Sequence, residues 1–417
     1  MITDEMRDNK INIKYKIENF DIIFENGDIE KIGPGMVRHL YIERDFDNLY
    51  FPLINVSVVM DDVIYQRIKQ ENETVQFRVR VIRNIYDVDG NMKNYELFFN
   101  KTFRCFMDKD NIIKDNERLD VKRNTDQAQH PSYVANPREF YLFLDDVIKC
   151  KKITNLSVEN AQLTDLVVYL FNQCGIEKLL MSKLDNQMTV RNLIIPNGNL
   201  IENLTFLDET LGFYKKGMLL YFDIDNAYLI DKNALCTSWR PNEVRITHIH
   251  VANHISSDSQ LNGQFTDKDR KQCHLFTHTD RIEIKNANIV NDQINGNSIT
   301  VINSKNNSIT NISGDTTQIG SANSNILISK YSNSYANSII ETRLNESENI
   351  CTLSFLGIDV DVFSPNKEII LTFEEPNLHK KYSGNYRILK LISTLRKDAE
   401  ELVGEVQVIL AKQWIKI

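Results

Sequence analysis

The sequence predicts a mainly β protein with one compact α+β module near its middle, on three observations. Residues 75–86, VQFRVRVIRNIY, alternate from Val75 to Val81, with Val75, Phe77, Val79 and Val81 on one face and Gln76, Arg78 and Arg80 on the other, the period of a half-buried strand. The C-terminal runs EIILTF, NYRILKLISTLR and ELVGEVQVILAKQW repeat that alternation. Between these β ends, Pro196–Asp231 changes period once. Leu200, Ile201, Leu204, Leu207 and Leu211 recur at three- and four-residue steps, one face of a helix. Asn199 and Glu202 have capping-box spacing, and Gly212 suits the left-handed position that ends a helix. MLLYF, the polar turn Asp223-Ile224-Asp225-Asn226 and AYLI then read as a β-hairpin.

From the N-terminus, Ile11, Ile13, Tyr15 and Ile17, then Ile22 and Phe24, alternate up to the turn Asn26-Gly27, a hairpin pattern. Gly33-Pro34-Gly35 breaks the chain before VRHLYIERDFD. Leu49–Met60 reads as a strand, Asp61-Asp62 opens a short helix over DDVIYQRIKQ, and 75–106 reads as a long hairpin turning at Asp87-Val88-Asp89-Gly90. Strand, short helix and long hairpin together predict a small β-barrel with one helix in the first hundred or so residues. Residues 107–140 are polar and charged, a loop pattern. Leu163, Leu166, Val167, Leu170, Phe171 and Cys174 form a helical stripe ending at Gly175, and Ile176–Leu184 reads as a second short helix.

From Arg240 the pattern is extended again, in EVRITHIHVANHI and CHLFTHTDRIEI. Residues 286–349 are rich in Asn, Ser, Ile and Thr, with isoleucines at irregular gaps and no solenoid period. This composition predicts a mostly irregular insertion, against a rival reading of short strands stacked through an oligomer. EEPNLHKKYSGN reads as a loop, and the three runs around it and after it as an antiparallel meander whose outer strands need a partner sheet.

At 417 residues, with 42% hydrophobic and 25% charged residues, the chain has room for several ordinary globular cores. Its charge of −8 makes it a poor non-specific binder of nucleic acid or anionic membrane, because phosphate neutralisation needs clustered Lys and Arg. The N-terminus has charges where a signal peptide needs an apolar core, and no run approaches the ~18 apolar residues of a membrane span. The six cysteines are scattered singly without C-x-x-C spacing, which suits reduced thiols better than a disulfide framework or a zinc knuckle.

Motifs with chemistry are sparse. His248, His250, His254, His274 and His278 fall close together, and an H-x-H pair on a strand can bind zinc, so these are the candidate metal ligands. Without H-E-x-x-H or an identifiable acidic partner, strand and loop histidines are the ordinary reading. DIDNAYLID and DVDGN do not complete a calcium loop, because glycine comes too early in the second. No P-loop, G-x-G-x-x-G or G-x-S-x-G is present. The carboxylate pairs Asp145-Asp146 and Glu374-Glu375 would point to opposite faces of an extended chain. Arg78, Arg80 and Arg83 make a basic strand edge suited to ion pairing at an interface rather than to reading phosphate. No cofactor and no enzymatic activity are expected; a zinc hydrolase built on the histidines is one alternative, and a receptor- or carbohydrate-binding protein using the Asn/Ser-rich block is another.

The order of parts resembles baseplate hub proteins of contractile phage tails and related injection machines. The resemblance is carried by Leu49–Met60, Asp61–Glu71 and Val75–Phe106, by the unit ending FLDETLGFYKKGMLLYFDIDNAYLID, and by the C-terminal strand, loop, returning strand and final strand. It implies two tube-like β-barrel domains flanking the helix–hairpin module. Residues 1–106 would form the first barrel, 107–149 a polar connection, 150–239 the module, and 240–285 with 350–417 a discontinuous second barrel interrupted by the 286–349 insertion. It further implies a homotrimer forming a pseudo-sixfold ring in the virion baseplate, assembled in the bacterial host cytoplasm without membrane insertion. Its partners would be a tail tube ring above and a central spike or cell-puncturing protein below, with DNA or a tape-measure protein in the lumen. Leu53, Val56, Phe77, Val79, Val406 and Val408 are the expected subunit-contact positions, although strand alternation assigns about half of any such set to the barrel core.

Overall fold

The computed structural model describes residues 12–71, 74–87, 89–106, 136–214, 217–232, 246–251, 350–360, 362–365, 367–398 and 401–412, together with the backbone of the strands between 262 and 329. Strands dominate. The N-terminal half contributes β1 (Asn12–Ile23), β2 (Ile29–Ile32), β3 (Val37–Asp45), β4 (Leu53–Met60), helix α1 (Asp62–Glu71), β5 (Gln76–Tyr86), β6 (Met92–Phe106) and β7 (Asn136–Leu144). The module comprises α2 (Asp145–Cys150), β8 (Thr154–Gln162), α3 (Leu163–Cys174), β9 (Leu179–Met181), β10 (Thr189–Gly198), α4 (Leu200–Leu211), β11 (Met218–Phe222) and β12 (Ala227–Asp231). The C-terminal part contains β13 (Ile246–Val251), β14 (Asn262–Thr266), β15 (Gln272–His278), β16 (Glu283–Lys285), β17 (Ser298–Asn303), β18 (Ser308–Ser313), β19 (Ser324–Ser329), β20 (Ile350–Leu356), β21 (Glu368–Phe373), α5 (Pro376–Tyr382), β22 (Gly384–Asp398) and β23 (Glu401–Lys412). Among the described residues no helix is long and apolar enough to cross a membrane.

The mainly β class stands, and strand pairing shows how its parts are joined. Pairings run β22–β3–β4–β7–β6–β5–β1–β23, and β22 also pairs with β23, so eight strands close on themselves. The same two strands start a second set: β21, β13, β15 and β14 continue from β22, while β20 and β16 continue from β23. Strand length makes this possible. In β22, Lys390–Arg396 pairs with β3 while Gly384–Tyr386 pairs with β21. In β23, Leu402 and Val403 face β1 while Glu405–Ala411 faces β20. The C-terminal hairpin therefore belongs to both strand systems, and one continuous apolar core runs through them, including Tyr15, Phe77, Val406 and Leu353.

Three local differences from the sequence reading have physical causes. Within the polar 107–140 stretch, β7 begins at Asn136; its buried Phe140, Leu142 and Leu144 alternate behind Pro137 and complete the ring between β4 and β6. Ile176–Leu184 contains strand β9 rather than a helix, pairing in parallel with β12, so sheet pairing overrides a short helical pattern. EEPNLHKKYSGN holds α5: Glu375 accepts from the Asn377 and Leu378 amides, and Pro376 occupies the first turn, where its missing N–H costs nothing.

Where the ring meets the chain returning from β20, packing leaves no room for a side chain at Gly404. A Cβ there would lie 2.9 Å from Val360 Cγ1 and 3.1 Å from the Ile358 carbonyl oxygen. Backbone cannot retreat as a side-chain tip can. Gly404→Ala is expected to lower unfolding free energy by about 1–3 kcal/mol, read as a lower urea midpoint at unchanged slope.

Candidate functional site

The helix–hairpin module is built as its period implies and is fastened to the ring by its hairpin. Asn199 Oδ1 accepts from the Glu202 amide at 3.0 Å, and the Asn199 amide donates to Glu202 Oε2 at 2.8 Å, completing the capping box. At the other end, Gly212 has φ +72°, and Asn186 Nδ2 donates to the Leu211 and Gly212 carbonyls at 2.9 and 3.1 Å. These are carbonyls a helix end leaves unpaired. Leu163, Leu166, Leu204, Leu207, Phe213 and Tyr214 pack into a second core beneath α3 and α4.

Asp208, in the last turn of α4, accepts from the Phe213 amide at 2.8 Å. Burial, and then neighbouring Glu209, push its carboxyl up to about 6 against that hydrogen bond. The folded state thus holds this proton more tightly than the unfolded chain does. The contribution of Asp208 to stability should therefore rise as pH falls from 7 toward 4, through the interval between its folded and unfolded values. Asp208→Asn keeps the acceptor and removes the charge. It is expected to add roughly 1–2 kcal/mol at pH 7 and to flatten the pH dependence of the urea midpoint between pH 7 and 4.

β11 and β12 form a wall between the two cores. Leu219, Tyr221, Tyr228 and Ile230 join the ring core, whereas Leu220, Phe222, Ala227 and Leu229 join the module core. This explains why MLLYF and AYLI are continuous apolar runs: both faces are covered. Aromatic contacts cross the junction, with Phe46 edge-on to Tyr221 at 4.7 Å between centroids and Phe51 stacked on Phe222 at 4.9 Å. The Phe222 amide donates to the Tyr50 carbonyl at 2.8 Å.

Ionic contacts reinforce the same junction. Arg44 Nε donates to Asp223 Oδ1 at 2.8 Å, both side chains being largely buried. Asp47 receives Lys232 Nζ at 2.9 Å and Arg387 at 3.0 Å. Burial raises the Asp47 carboxyl, but Arg387 and Lys232 outweigh it and hold the group below its ordinary value. Lys101 lies 3.4 Å from Asp225 at the hairpin turn. Asp223 and Asp225 thus anchor the module to β3 and β6. The sequence signal for this junction was charge embedded in apolar strand runs, Arg44 in VRHLYIERD and Arg387 in NYRIL, which period alone does not interpret.

On the outer face of β22, β3, β4 and β7 a shallow groove of about 520 Å³ is lined by His39, Tyr41, Leu53, Asn55, Tyr141 and Arg396, among others. Thr394, Tyr41, Asn55, Tyr141 and Phe106 fall in one cross-strand row over five strands. Glu43 accepts from Tyr41 and pairs with Lys390, each at 2.5 Å. Burial raises the Glu43 carboxyl, but these two partners bring it below its ordinary value. The opposite side of the ring is an ion-pair ladder: Arg78–Asp21 at 2.7 Å, Arg80–Glu18 at 2.6 Å, and Arg83 on Glu96 and, at 2.7 Å, Asp359. Arg78, Arg80 and Arg83 are all paired within the chain.

The expected contact positions divide unevenly. Val56, Phe77, Val79, Val406 and Val408 belong to the chain's own core, each at most 1% exposed, because their strand faces point into the ring. Leu53 is on the outer face, in the groove. The histidines do not converge either. His248 pairs with Leu275 and His250 with Thr277, while His274 pairs with Thr247 and His278 with Val251. That register puts the two pairs on opposite faces of the sheet, and His254 lies outside the described residues. Among the described residues no group of three His, Cys, Asp or Glu is placed to hold a metal ion.

Comparison with solved structures places this arrangement. The tail protein from Neisseria meningitidis MC58 is similar over 96% of this chain and 98% of its own, with a TM-score of 0.50 and 10% identity. The prophage MuSo2 43 kDa tail protein from Shewanella oneidensis covers 98% and 100% at a TM-score of 0.48 and 10% identity. A type VI secretion system component from E. coli covers 97% and 77% at 0.41 and 8%. The first of these shows a shared fold at an identity that sequence alignment alone does not interpret. No curated protein sequence matches. A family model, Bacteriophage PBS1 gene 109 protein, matches residues 2–413. The chain shares its fold with the Neisseria meningitidis tail protein and belongs to the bacteriophage PBS1 gene 109 protein family.

Proposed function

We propose that this chain is a structural, non-enzymatic baseplate hub of a phage tail. Three copies would form a pseudo-sixfold ring that joins the tail tube to a central spike and lets DNA or a tape-measure protein pass. The observation that carries this reading is the shared hairpin: β22 and β23 belong at once to the closed eight-strand ring and to the second strand set. One chain therefore brings two β units side by side in a fixed relation, and three chains bring six, the number that matches a hexameric tube. The module, locked to the first ring by Arg44–Asp223 and the Phe51–Phe222 stack, would then move with the ring as one body. Such a ring belongs in the virion, with a tube protein on one side and a spike on the other.

Averaged electron micrographs of the purified protein test the proposal. Threefold particles with a central channel and six peripheral lobes are expected. Compact monomers at all concentrations, including in the presence of the phage's own tube and spike proteins, would overturn it.

A further inference from the structure

The Asn/Ser-rich segment contains a small sheet set apart from every other. Among the described residues β17, β18 and β19 pair as strands with one another alone, in the order β18–β17–β19. Ile299 pairs with Ile312 and Ile302 with Ile309 across the antiparallel side. Val301 pairs with Leu327, Thr300 with Ile326, and Ile302 with Ile328 across the parallel side. Partners in register share a face of the sheet. One face thus carries Ile299, Val301, Ile312 and Leu327. The other carries Ile302, Ile309, Ile326 and Ile328.

A sheet with one apolar face needs one covering layer; this sheet needs two. Three strands of six residues each cannot fold back to cover themselves. Among the described residues of 286–349, these strands are the only elements. The chemistry of the segment selects its cover. None of the three strands contains a charged residue, and from 293 to 329 the sequence has only Lys305 and Asp315. The charged gatekeepers that keep identical strands apart are missing. A charged partner would find nothing to pair with, whereas a second copy brings matching apolar rows bordered by Ser, Thr and Asn that hydrogen-bond to their own kind.

We propose that the strands Ser298–Asn303, Ser308–Ser313 and Ser324–Ser329 form a self-association element, in which this sheet packs face to face against the same sheet of neighbouring copies. The inference deepens the ring reading by naming an element outside the ring that ties copies together, and it stands on different residues.

The test uses the full chain. With benzoylphenylalanine in place of Val301, illumination should give covalent multimers whose crosslinked peptides join 298–329 of one copy to 298–329 of another. In light scattering over a concentration series, Ile302→Lys/Ile328→Lys and Ile299→Lys/Leu327→Lys should each weaken association at least tenfold. Circular dichroism and urea unfolding of the ring should match the parent chain. Absence of that crosslink, or unchanged association in both double variants, overturns the inference. The ring reading is judged separately, by threefold symmetry in micrographs: a threefold particle without the crosslink keeps the ring and removes this element.

Discussion

Phe222→Ala is expected to lower unfolding free energy by about 3–5 kcal/mol and to loosen the module from the ring. Phe222 is fully buried, stacked on Phe51 from the β3–β4 connection and 6.1 Å from the Phe171 ring of α3. It is the side chain through which the ring's loop and the module's helix touch the same strand. Truncation removes both aromatic contacts and leaves a cavity that the hydrogen-bonded β11 backbone, tied to Tyr50, cannot collapse to fill. Urea unfolding should show the loss, and limited proteolysis should newly cut near the junction at denaturant concentrations where the parent resists. A loss below about 1 kcal/mol, the scale of a surface change, would show that Phe222 does not hold the β3–β4 connection to the module.

Much of this fold was legible in the sequence, and the legible parts share a cause. The period of 75–86 became β5, with Phe77, Val79 and Val81 inside; the spacing of Leu200 to Leu211 became α4 with its capping box; and the C-terminal meander became β21, β22 and β23. Each is determined by neighbours along the chain. The unreadable parts are pairings between distant residues. That Leu395 of β22 lies against Leu40 of β3, and Val403 against Lys14, follows from closure of the ring and has no local signature. The same limit governed the candidate site. Alternation correctly separated the two faces of β5 and β23, but it does not say which face is outside. Of the expected contact positions, Val56, Phe77, Val79, Val406 and Val408 are core, more than the half that alternation assigns there. The histidines, ordinary strand and loop residues on the favoured reading, illustrate the same limit, since nearness in sequence says nothing of the register between β13 and β15.

Asp223→Ala should be the most damaging change among the ionic contacts, at about 3–5 kcal/mol. The asymmetry of the pair decides this. The Arg44 side chain is 5% exposed and that of Asp223 13%, so removing the carboxylate leaves a deeply buried guanidinium without it. Asp223 Oδ1 also accepts from the Ile224 amide, so the hairpin turn loses a contact at the same time. Arg44→Met removes the charge that is harder to bury and supplies an apolar chain of similar length; it should cost less, about 1–3 kcal/mol. The Arg44→Met/Asp223→Ala double variant removes both charges together and should be less destabilised than the sum of the two singles. A double-mutant cycle on urea unfolding reads the difference as a coupling energy of at least about 1 kcal/mol. Additive losses would mean that Arg44 and Asp223 hold the module to the ring independently rather than as a pair. In that case the aromatic wall of β11, and not the ion pair, would set the hairpin's position against β3.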